Sequence, residues 1–525
     1  PLDSRDKNFH FSEDMKIYGG FDGTETMLSQ RDWVNNVTIL SGDFNNDDVV
    51  IGSGSTLSFS NNTENAYHVM ITANLTAAAV IDGFTIQGGN ANLNWNFILK
   101  KYQSETFLRG YGGGMYNNSS SPTIRNSIFL NNYAIISGGG MQNSSSSSPT
   151  ITNSNFSNNY AVTGGGIFGV TLTIRNSTFL NNNANDGGGI AGNFSLIPYA
   201  ITITNSTFAN NNASQSGGGF KGFTNYPKIT NTIFWENTQN GNNNVAGADI
   251  SAFGSTTVTH SLTQANSMFS SGTGIINNQD PLFVDATNGD FSLKACSPSI
   301  KAGDNTAWTT TGLSTDLVGN PRPQNTMVDI GAYEYQGTPV NIMVSTPTVT
   351  QPTCASPTGT IEINATTTAG TLEFSIDNGV TYQASSTFSG LSAGSYNIKV
   401  RETGSSCEES DGSNPVVINA GVFLTVSAPI VTQPCVVSTG TIVVNATTSL
   451  GTLEYSVDNG TTYQTSGTFN GLSAGSYSIK VREQGTSCTE NYASNPVVLN
   501  PPAVMTVYPP TCLLYTSPSP RDKRQ

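Results

Sequence analysis

A nine-residue pattern repeats five times in the first half of the sequence and constrains the fold more than any other feature. The pattern is Ile-x-Asn-[Ser/Thr]-x-Phe-x-x-Asn, and its copies occupy residues 124–132, 151–159, 174–182, 203–211 and 229–237. The phenylalanines are therefore 27, 23, 29 and 26 residues apart. This period is too short for a propeller blade and lacks a 3.6-residue helical pattern, so each repeat is interpreted as one coil of short strands. The sequence predicts an all-β solenoid, a parallel β-helix whose winding is right-handed by the crossover rule for parallel strands.

Stacking of these coils in register predicts columns of like residues, with about 4.8 Å between neighbouring coils. The predicted inward columns are Ile124, Ile151, Ile174, Ile203 and Ile229, with Phe129, Phe156, Phe179, Phe208 and Phe234. A polar column, in which amides donate to one another at a bend, comprises Asn126, Asn153, Asn176, Asn205 and Asn231. Glycine triplets beside each coil supply positive φ at another corner. We interpret all these columns as structural, because they recur wherever the coil recurs.

The repeats resemble those of a known class of bacterial surface proteins. Phe-x-x-Asn combined with Gly-Gly-[Met/Ile/Phe] resembles the repeats of polymorphic outer-membrane proteins. Flanking motifs resemble the opening and closing of pectin-lyase-like proteins of the choice-of-anchor Q kind. These motifs are IYGGFDGTET (17–26), QRDW (30–33), TILSGD (38–43), DPLF (280–283), SPSI (297–300), DLVGNPR (316–322) and DIGAYEY (329–335). The resemblance covers roughly residues 11–337 and implies a right-handed parallel β-helix with export to the cell surface.

A second repeat, about 81 residues long, begins near residue 346. Each copy alternates apolar and polar residues and contains an Asp-Asn-Gly hairpin signal, which predicts two immunoglobulin-like β-sandwiches. Their cysteines, Cys354 and Cys407 in one copy and Cys435 and Cys488 in the other, favour a disulfide within each copy, although spacing also allows Cys407 to pair with Cys435. LSAGSYNIKVR (391–401) and its copy (472–482) resemble tandem repeats of gliding-bacterium surface adhesins exported by type IX secretion.

These patterns divide the chain into four parts. Residues 1–337 form the predicted β-helix, with clear coils over 112–240, and residues 338–425 and 426–506 form the two sandwich repeats. Residues 507–525 are interpreted as a truncated repeat followed by a tail that resembles a translated sequencing adapter, so the chain is interpreted as a fragment of metagenomic type.

Composition argues against nucleic acid as a partner and against a membrane-spanning segment. The formal net charge is −14 and the pI is about 4.6, so the chain lacks the clustered basic residues that nucleic acid requires. No apolar run is long enough to predict a transmembrane segment. Paired cysteines favour an oxidising compartment, and we expect an extracellular or cell-surface protein.

The clear coils are poor in catalytic residues. Only Asp186 and Glu236 are acidic between residues 112 and 240, and nothing in the pattern brings them together as hydrolysis of a glycosidic bond would require. No catalytic residue is predicted. Arg125 and Arg175 occupy equivalent outward positions two coils apart, and they are either part of a solvated face or a binding site for acidic glycan.

Two further stretches are candidate ligand sites. Asp43, Asn45 and Asp47 match the first three ligand positions of a calcium loop, but later positions do not match, and an Asx-rich turn is the alternative. Calcium is the one cofactor considered. Trp95 and Tyr102 lie in a long stretch that interrupts the coil spacing, where they either stack on sugar or pack against the solenoid.

The sequence favours a non-catalytic, adhesin-like protein that contacts glycans or other cells. A polysaccharide lyase or glycoside hydrolase of the β-helix class is the first alternative, and a structural spacer is the second.

Overall fold

Four stacks of parallel strands run through the first part of the chain. The computed structural model describes residues 3–503, apart from 94–105, 145, 193–199, 223–225, 253–255, 265–268, 270–271, 325, 355, 405–406, 422, 435–437 and 450. Two compact units divide between Asn341 and Ile342, and Cys407 groups with the first unit.

Successive coils contribute one strand to each parallel sheet in turn, which is the strand order of a parallel β-helix. The first sheet contains Phe9–Phe11, Met70–Ala73, Met115–Asn118, Met141–Asn143, Ile167–Gly169, Ile190–Gly192, Phe220–Gly222 and Ile250–Ala252. The second sheet contains Lys16–Tyr18, Val80–Asp82, Thr123–Arg125, Thr150–Thr152, Leu172–Arg175, Ile201–Thr204, Lys228–Thr230 and Thr257–Thr259. The third sheet contains Thr38–Ser41, Phe84–Gln87, Ile128–Leu130, Asn155–Ser157, Thr178–Leu180, Thr207–Ala209, Ile233–Trp235, Leu262–Thr263 and Ile276–Asn277. The fourth sheet contains Asn90–Ala91, Tyr133–Ser137, Tyr160–Thr163, Asn183–Asp186, Asn212–Ser216 and Thr238–Gln239.

Short elements complete this unit. Two antiparallel pairs are formed by Val49–Ile51 with Ser58–Ser60 and by Phe283–Asp285 with Asp290–Leu293. The helical turns are Ser4–Asp6, Leu28–Gln30, Gly54–Thr56, Ala286–Asn288 and the α-helix Asn305–Thr309. Among the described residues, no helix has the length and apolar character needed to cross a membrane.

The core of the solenoid consists of the isoleucine and phenylalanine columns. Every isoleucine of the predicted column pairs in register with the next, and so does every phenylalanine. All ten side chains are fully buried. The phenylalanine rings stack nearly parallel at centroid distances of 4.5, 5.0, 4.5 and 4.8 Å. Because each ring covers the next, one coil alone could not bury this surface.

Two physical requirements explain the glycine triplets, positive φ and close packing. The first glycine of a triplet, such as Gly164 with φ +68°, takes the left-handed conformation that we expected. The third, Gly166, needs glycine for space, because a Cβ there would lie 2.5 Å from the oxygen of Gly189 and 3.2 Å from the ring of Phe179. The triplet therefore lets adjacent backbones and the phenylalanine column approach closely.

Two asparagine columns stabilise the bends on either side of the third sheet. The column at the bend before this sheet, which we call the outer column, contains the predicted Asn126, Asn153, Asn176, Asn205 and Asn231, all at positive φ. The last asparagine of each repeat forms a second column, the inner column, of Asn132, Asn159, Asn182, Asn211 and Asn237. In the inner column each amide donates to the next at 3.0, 3.0, 2.9 and 2.9 Å. The continuous amide ladder is thus the inner column, whereas the outer column is interrupted.

Asp249 ends the inner column and is expected to make the stability of the solenoid depend on pH. Its carboxylate accepts from Asn237 Nδ2 at 3.0 Å and from the Gln264 N–H at 2.9 Å. Burial raises the pKa of Asp249 to about 7, against the effect of these hydrogen bonds. Because an unfolded chain releases this proton at a pKa of about 3.9, the folded state binds it more tightly. The contribution to stability is therefore present below about pH 4 and is lost as the pH rises through about 7.

Urea denaturation at several pH values, followed by tryptophan fluorescence, measures this effect. The free energy of unfolding of the wild type minus that of Asp249→Asn is expected to fall between about pH 4 and 7 and then to level off. Asp285→Asn is the control, because Asp285 is exposed and its hydrogen bonds with Asn288 lower its pKa. A difference between wild type and Asp249→Asn that stays constant across this range would contradict the assignment.

The second unit contains two copies of one antiparallel arrangement. The strands of the first copy are Ile342–Thr350, Gly359–Thr367, Leu372–Ser375, Thr387–Leu391, Gly394–Tyr396, Lys399–Glu402, Glu408–Ser410 and Val416–Ile418. Those of the second copy are Leu424–Thr432, Thr439–Thr448, Leu453–Ser456, Thr468–Ser473, Gly475–Tyr477, Lys480–Glu483, Thr489–Asn491 and Val497–Leu499. Each copy forms two three-stranded sheets and one two-stranded sheet. Apolar residues from these sheets form a separate core in each copy.

The predicted Asn-Gly turns are present in both copies. Asn378 and Gly379 both have positive φ, at +62° and +87°, as a type I′ hairpin turn requires. Ser375 and Asp377 brace the turn, since Asp377 accepts hydrogen bonds from the Thr381 hydroxyl and backbone N–H. These hydrogen bonds lower the pKa of Asp377 to about 2.

The disulfide pairing favoured by the sequence is wrong. Cys354 pairs with Cys488, and Cys407 pairs with Cys296, with Cα atoms 5.6 and 5.5 Å apart. The expected pairs within each copy relied on equal sequence spacing, which does not determine which sulfurs meet in space. Cys435 lies outside the described residues.

Candidate functional site

A groove on the outside of the solenoid brings the bends of three coils beside two non-repeating segments. The opening loop, residues 19–37, forms one wall, and the closing segment, residues 297–335, forms the other. Two adjoining cavities of about 230 and 680 Å³ occupy the groove, and Trp33, Asn126 and Asn153 line both of them. We call this feature the Trp33 groove. Its remaining lining residues are Tyr18, Leu28, Ser29, Arg31, Val34, Val37, Asp82, Gly83, Phe84, Thr85, Arg125, Ser127, Ile128, Thr152, Asn155, Leu313, Leu317 and Val318.

Local hydrogen bonds hold the opening loop in place. Asp32 accepts from the backbone N–H groups of Val34 and Asn35, both at 3.0 Å, which makes an Asx turn around Trp33. Gln30 also accepts from the Met27 N–H at 2.9 Å. Trp33 is 38% exposed at the edge of the groove. The Trp33 ring therefore lies at the edge of the groove on a loop that these hydrogen bonds hold in place.

Asp82 organises the charged floor of the larger cavity. Its carboxylate pairs with Arg31 at 2.6 Å, lies 3.4 Å from Arg125 Nε and accepts from Asn126 Nδ2 at 2.8 Å. The Arg31 guanidinium also lies over the rings of Tyr18 and Trp33, with distances of 5.1 and 4.9 Å to the ring centroids. Both the Asp82 and Arg31 side chains are buried. Two guanidinium groups thus face one carboxylate, and the floor carries local positive charge.

Arg125 differs from Arg31 in being accessible. Its side chain is 42% exposed, whereas that of Arg31 is 7% exposed. The Arg125 guanidinium is therefore the charged group of this floor that a ligand can reach. A planar guanidinium suits carboxylate and sulfate oxygens, which accept two parallel hydrogen bonds from it.

The closing segment covers the later part of the outer asparagine column. Asn176, Asn205 and Asn231 donate to backbone oxygens of Thr315, Asp329 and Asp304 at 2.7, 3.3 and 3.0 Å. Asn126 and Asn153 instead line the groove, and Asn153 donates to Asn126 at 3.3 Å. The buried Oδ1 atoms of Asn153 and Asn155 have no partner among the described residues. In this part of the column the closing segment leaves the Asn126 and Asn153 side chains partly exposed to the groove.

Arg322 holds the closing segment against the solenoid. It pairs with Glu334 at 2.8 Å, donates to Asn176 Oδ1 at 3.1 Å and donates to three backbone oxygens. Arg322 and Glu334 are buried, and the Arg322 guanidinium lies 5.3 Å from the ring centroid of Trp308. The polar motifs at residues 316–322 and 329–335 therefore hold the closing segment against the solenoid.

The two candidate arginines have different surroundings. Arg125 lies in the Trp33 groove, whereas Arg175 donates to the Thr311 backbone oxygen at 3.2 Å beneath the closing segment. The two positions are equivalent in the repeat, because Thr152 of the coil between them pairs in register with both, but a non-repeating segment covers only Arg175. Trp95 and Tyr102 lie outside the described residues.

The calcium candidates lie elsewhere in the solenoid. Asp43 accepts from the backbone N–H groups of Asn45 and Asn46 at 3.1 and 2.6 Å. Asp43 and Asp47 come together with Glu64, which the sequence pattern did not indicate.

The acidic residues of the clear coils have separate partners. Asp186 lies 3.6 Å from Lys221 Nζ, and Glu236 accepts from Asn243 at 2.6 Å. Among the described residues lining the Trp33 groove, Asp82 is the only carboxylate, and it is held by two arginines. This arrangement suits binding better than the paired carboxylates of glycoside hydrolysis.

Asp82 and Trp33 were not predicted as site residues, although a feature of the sequence marks each of them. Ile81 pairs in register with Ile124, so Asp82 takes the position of Arg125 one coil earlier. Extension of the repeat alignment by one coil would have placed opposite charges side by side. Trp33 lies within the opening motif, but its role depends on the fold of the loop.

Comparison with known proteins adds no closer assignment. No protein-family model matches the chain, and no curated protein is significantly similar to it.

Proposed function

We propose that the chain is a secreted or cell-surface, adhesin-like protein whose solenoid binds acidic glycan in the Trp33 groove. The single observation that carries the proposal is the accessible Arg125 beside an exposed tryptophan and the open asparagine column. Aromatic rings stack on the apolar faces of sugars, amides bond to hydroxyl groups, and a guanidinium bonds to carboxylate or sulfate. The groove combines these three chemistries.

The wider identity is proposed on the same basis. The solenoid is taken as a right-handed, pectin-lyase-like β-helix of the choice-of-anchor Q kind, and the repeats as an immunoglobulin-like stalk exported by type IX secretion. Two observations favour the stalk assignment. Tyr396 and Tyr477 each donate to a backbone oxygen four residues upstream, at 2.8 Å, as in the tyrosine corner of immunoglobulin folds. The disulfide bonds are compatible with an extracellular protein.

Matched arginine variants test the groove. On an array of acidic and neutral glycans, the wild-type chain is expected to bind acidic members, and Arg125→Gln to weaken that binding by about tenfold or more. Arg175→Gln is the control, because Arg175 has the same position in the repeat but contacts the closing segment. Equal affinities of the two variants, or no binding by the wild type, would contradict the proposal.

A second pair of variants tests the aromatic wall. Trp33→Ala is expected to weaken binding of the same glycan, whereas Tyr226→Ala, at a 59% exposed tyrosine outside the groove, should not. The bound glycan should also be recovered intact. New unsaturated or reducing ends that disappear in Asp82→Asn would replace this proposal with an enzymatic function.

A further inference from the structure

A hairpin insert leaves the solenoid and returns to the same place. The insert comprises residues 43–64, which follow the strand Thr38–Ser41 and contain the antiparallel pair Val49–Ile51 and Ser58–Ser60. Asp43 and Asp47 lie at its start and Glu64 at its end. One carboxylate oxygen from each of these three residues lies within 4.8 Å of the other two. The two ends of the insert therefore meet in a group of carboxylates.

A fourth carboxylate belongs to this group. The Asp48 carboxylate lies close enough to Asp43, Glu64 and Asp47 to interact with their charges, and it accepts from Asn65 Nδ2 at 2.7 Å. Arg5 is a nearby counter-charge that interacts with Glu64. The Arg5 guanidinium, however, donates to neutral oxygens, those of the Asn65 and Asn90 backbones and the Asn92 side chain. Close like charges without a dedicated counter-ion are unfavourable.

Buried acceptor atoms beside the carboxylates provide an independent observation. Asn65 is 1% exposed, and its amide nitrogen donates to Asp48 Oδ2 and to the Gly88 oxygen, both at 2.7 Å. This contact places the Asn65 side chain against the carboxylate group, and its Oδ1 has no partner among the described residues. The buried Asp48 Oδ1 and Glu64 Oε1 also have none. All three atoms are acceptors, and a cation satisfies such a set directly.

An Asx turn alone does not account for the group. The Asp43 carboxylate accepts from the backbone N–H groups of Asn45, Asn46 and Asp48, which explains the local loop. That loop does not require Glu64, which follows the hairpin, to approach Asp47. The antiparallel pairing of Val49 with Ser60 brings both ends of the insert together, and a cation would offset the repulsion between the carboxylates that meet there.

We propose that the root of the hairpin insert binds one divalent cation, with calcium as the preferred ion. Asp43, Asp47 and Glu64 supply carboxylate ligands, and Asp48 and Asn65 supply neighbouring oxygens. Calcium accepts six to eight oxygen ligands in irregular geometry, whereas magnesium demands a near-ideal octahedron and retains its waters. The ligand set differs from the sequence expectation, because Glu64 joins across the hairpin.

The site would fasten the insert to the solenoid. The insert carries Phe59, whose ring meets that of Tyr133 edge to face at 5.7 Å. Together with Tyr160 and nearby asparagines, these rings line a cavity of about 380 Å³. Occupation of the site therefore holds one wall of this cavity in place. This inference does not depend on glycan binding in the Trp33 groove.

Calorimetric titration of the full chain, stripped of metal, with calcium chloride tests the site. One binding event is expected, with a rise in melting temperature, and Asp47→Asn and Glu64→Gln should each weaken affinity by about tenfold or more. Asp32→Asn is the matched control, a partly exposed Asx-turn aspartate outside the group. Circular dichroism establishes that each variant is folded.

Chymotryptic cleavage in the insert gives a second readout that needs no variant. Calcium is expected to slow cleavage after Phe59 several-fold, because it fastens both ends of the insert. Absence of calcium binding by the wild type, or unchanged affinity in both Asp47→Asn and Glu64→Gln, would overturn the site. Equal affinity for magnesium chloride would overturn the choice of calcium.

Discussion

Replacement of Phe179 by alanine is expected to lower the free energy of unfolding of the solenoid by about 3–5 kcal/mol. The Phe179 ring is fully buried and stacks between Phe156 and Phe208, with centroids 5.0 and 4.5 Å away. Truncation removes both ring contacts and leaves a cavity in the middle of the column. Main-chain hydrogen bonds to the coils on both sides, such as that between the Asn176 N–H and the Thr204 oxygen, prevent the coils from closing this space.

Tryptophan fluorescence during urea denaturation measures this loss selectively. All four tryptophans precede residue 342, so their signal follows the first unit. Phe21→Ala is the control, because Phe21 is 43% exposed and its truncation should change stability by less than about 0.5 kcal/mol. Similar midpoints for the two variants would show that the column does not support the solenoid.

Repetition made the core of the solenoid predictable. Ile124 and Ile151 have the same neighbours in their coils, so an alignment of the sequence with itself is also an alignment in space. The same logic identified the bend at Asn126, whose φ is +49°. It could not identify which asparagine column forms the longer ladder, because both recur equally often in the sequence.

Contacts made by the non-repeating segments could not be predicted from the sequence. The closing segment covers Arg175 and leaves Arg125 accessible, and nothing in either coil records that difference. Glu64 reaches Asp47 only because the hairpin insert folds back on itself. The pairing of Cys354 with Cys488 likewise depends on the arrangement of two repeats whose cysteine spacings are identical. In each case the sequence supplied the chemical groups, and long-range folding determined which of them meet.

Replacement of Asn182 by alanine, in the inner asparagine column, is expected to cause the second large loss of stability. Asn182 Oδ1 accepts from the Asn159 N–H and Nδ2 at 3.1 and 3.0 Å. Its Nδ2 donates to the Phe156 oxygen at 2.8 Å and to Asn211 Oδ1 at 2.9 Å. Asn182 is fully buried and its φ is not positive, so alanine fits the backbone but removes these four hydrogen bonds and the acceptor of the Asn159 N–H.

Each buried hydrogen bond contributes about 0.5–1.5 kcal/mol, so the expected loss for the four in Asn182→Ala is about 2–6 kcal/mol. Asn185→Ala is the matched control in the same coil, because Asn185 is only partly buried and accepts one hydrogen bond, from Ser214 at 3.0 Å. Its truncation should cost about 0.5 kcal/mol. Denaturation followed by tryptophan fluorescence compares the two variants. If they lose equal stability, the inner column is a consequence of coil stacking; a several-fold larger loss for Asn182→Ala means that the amides themselves hold successive coils together.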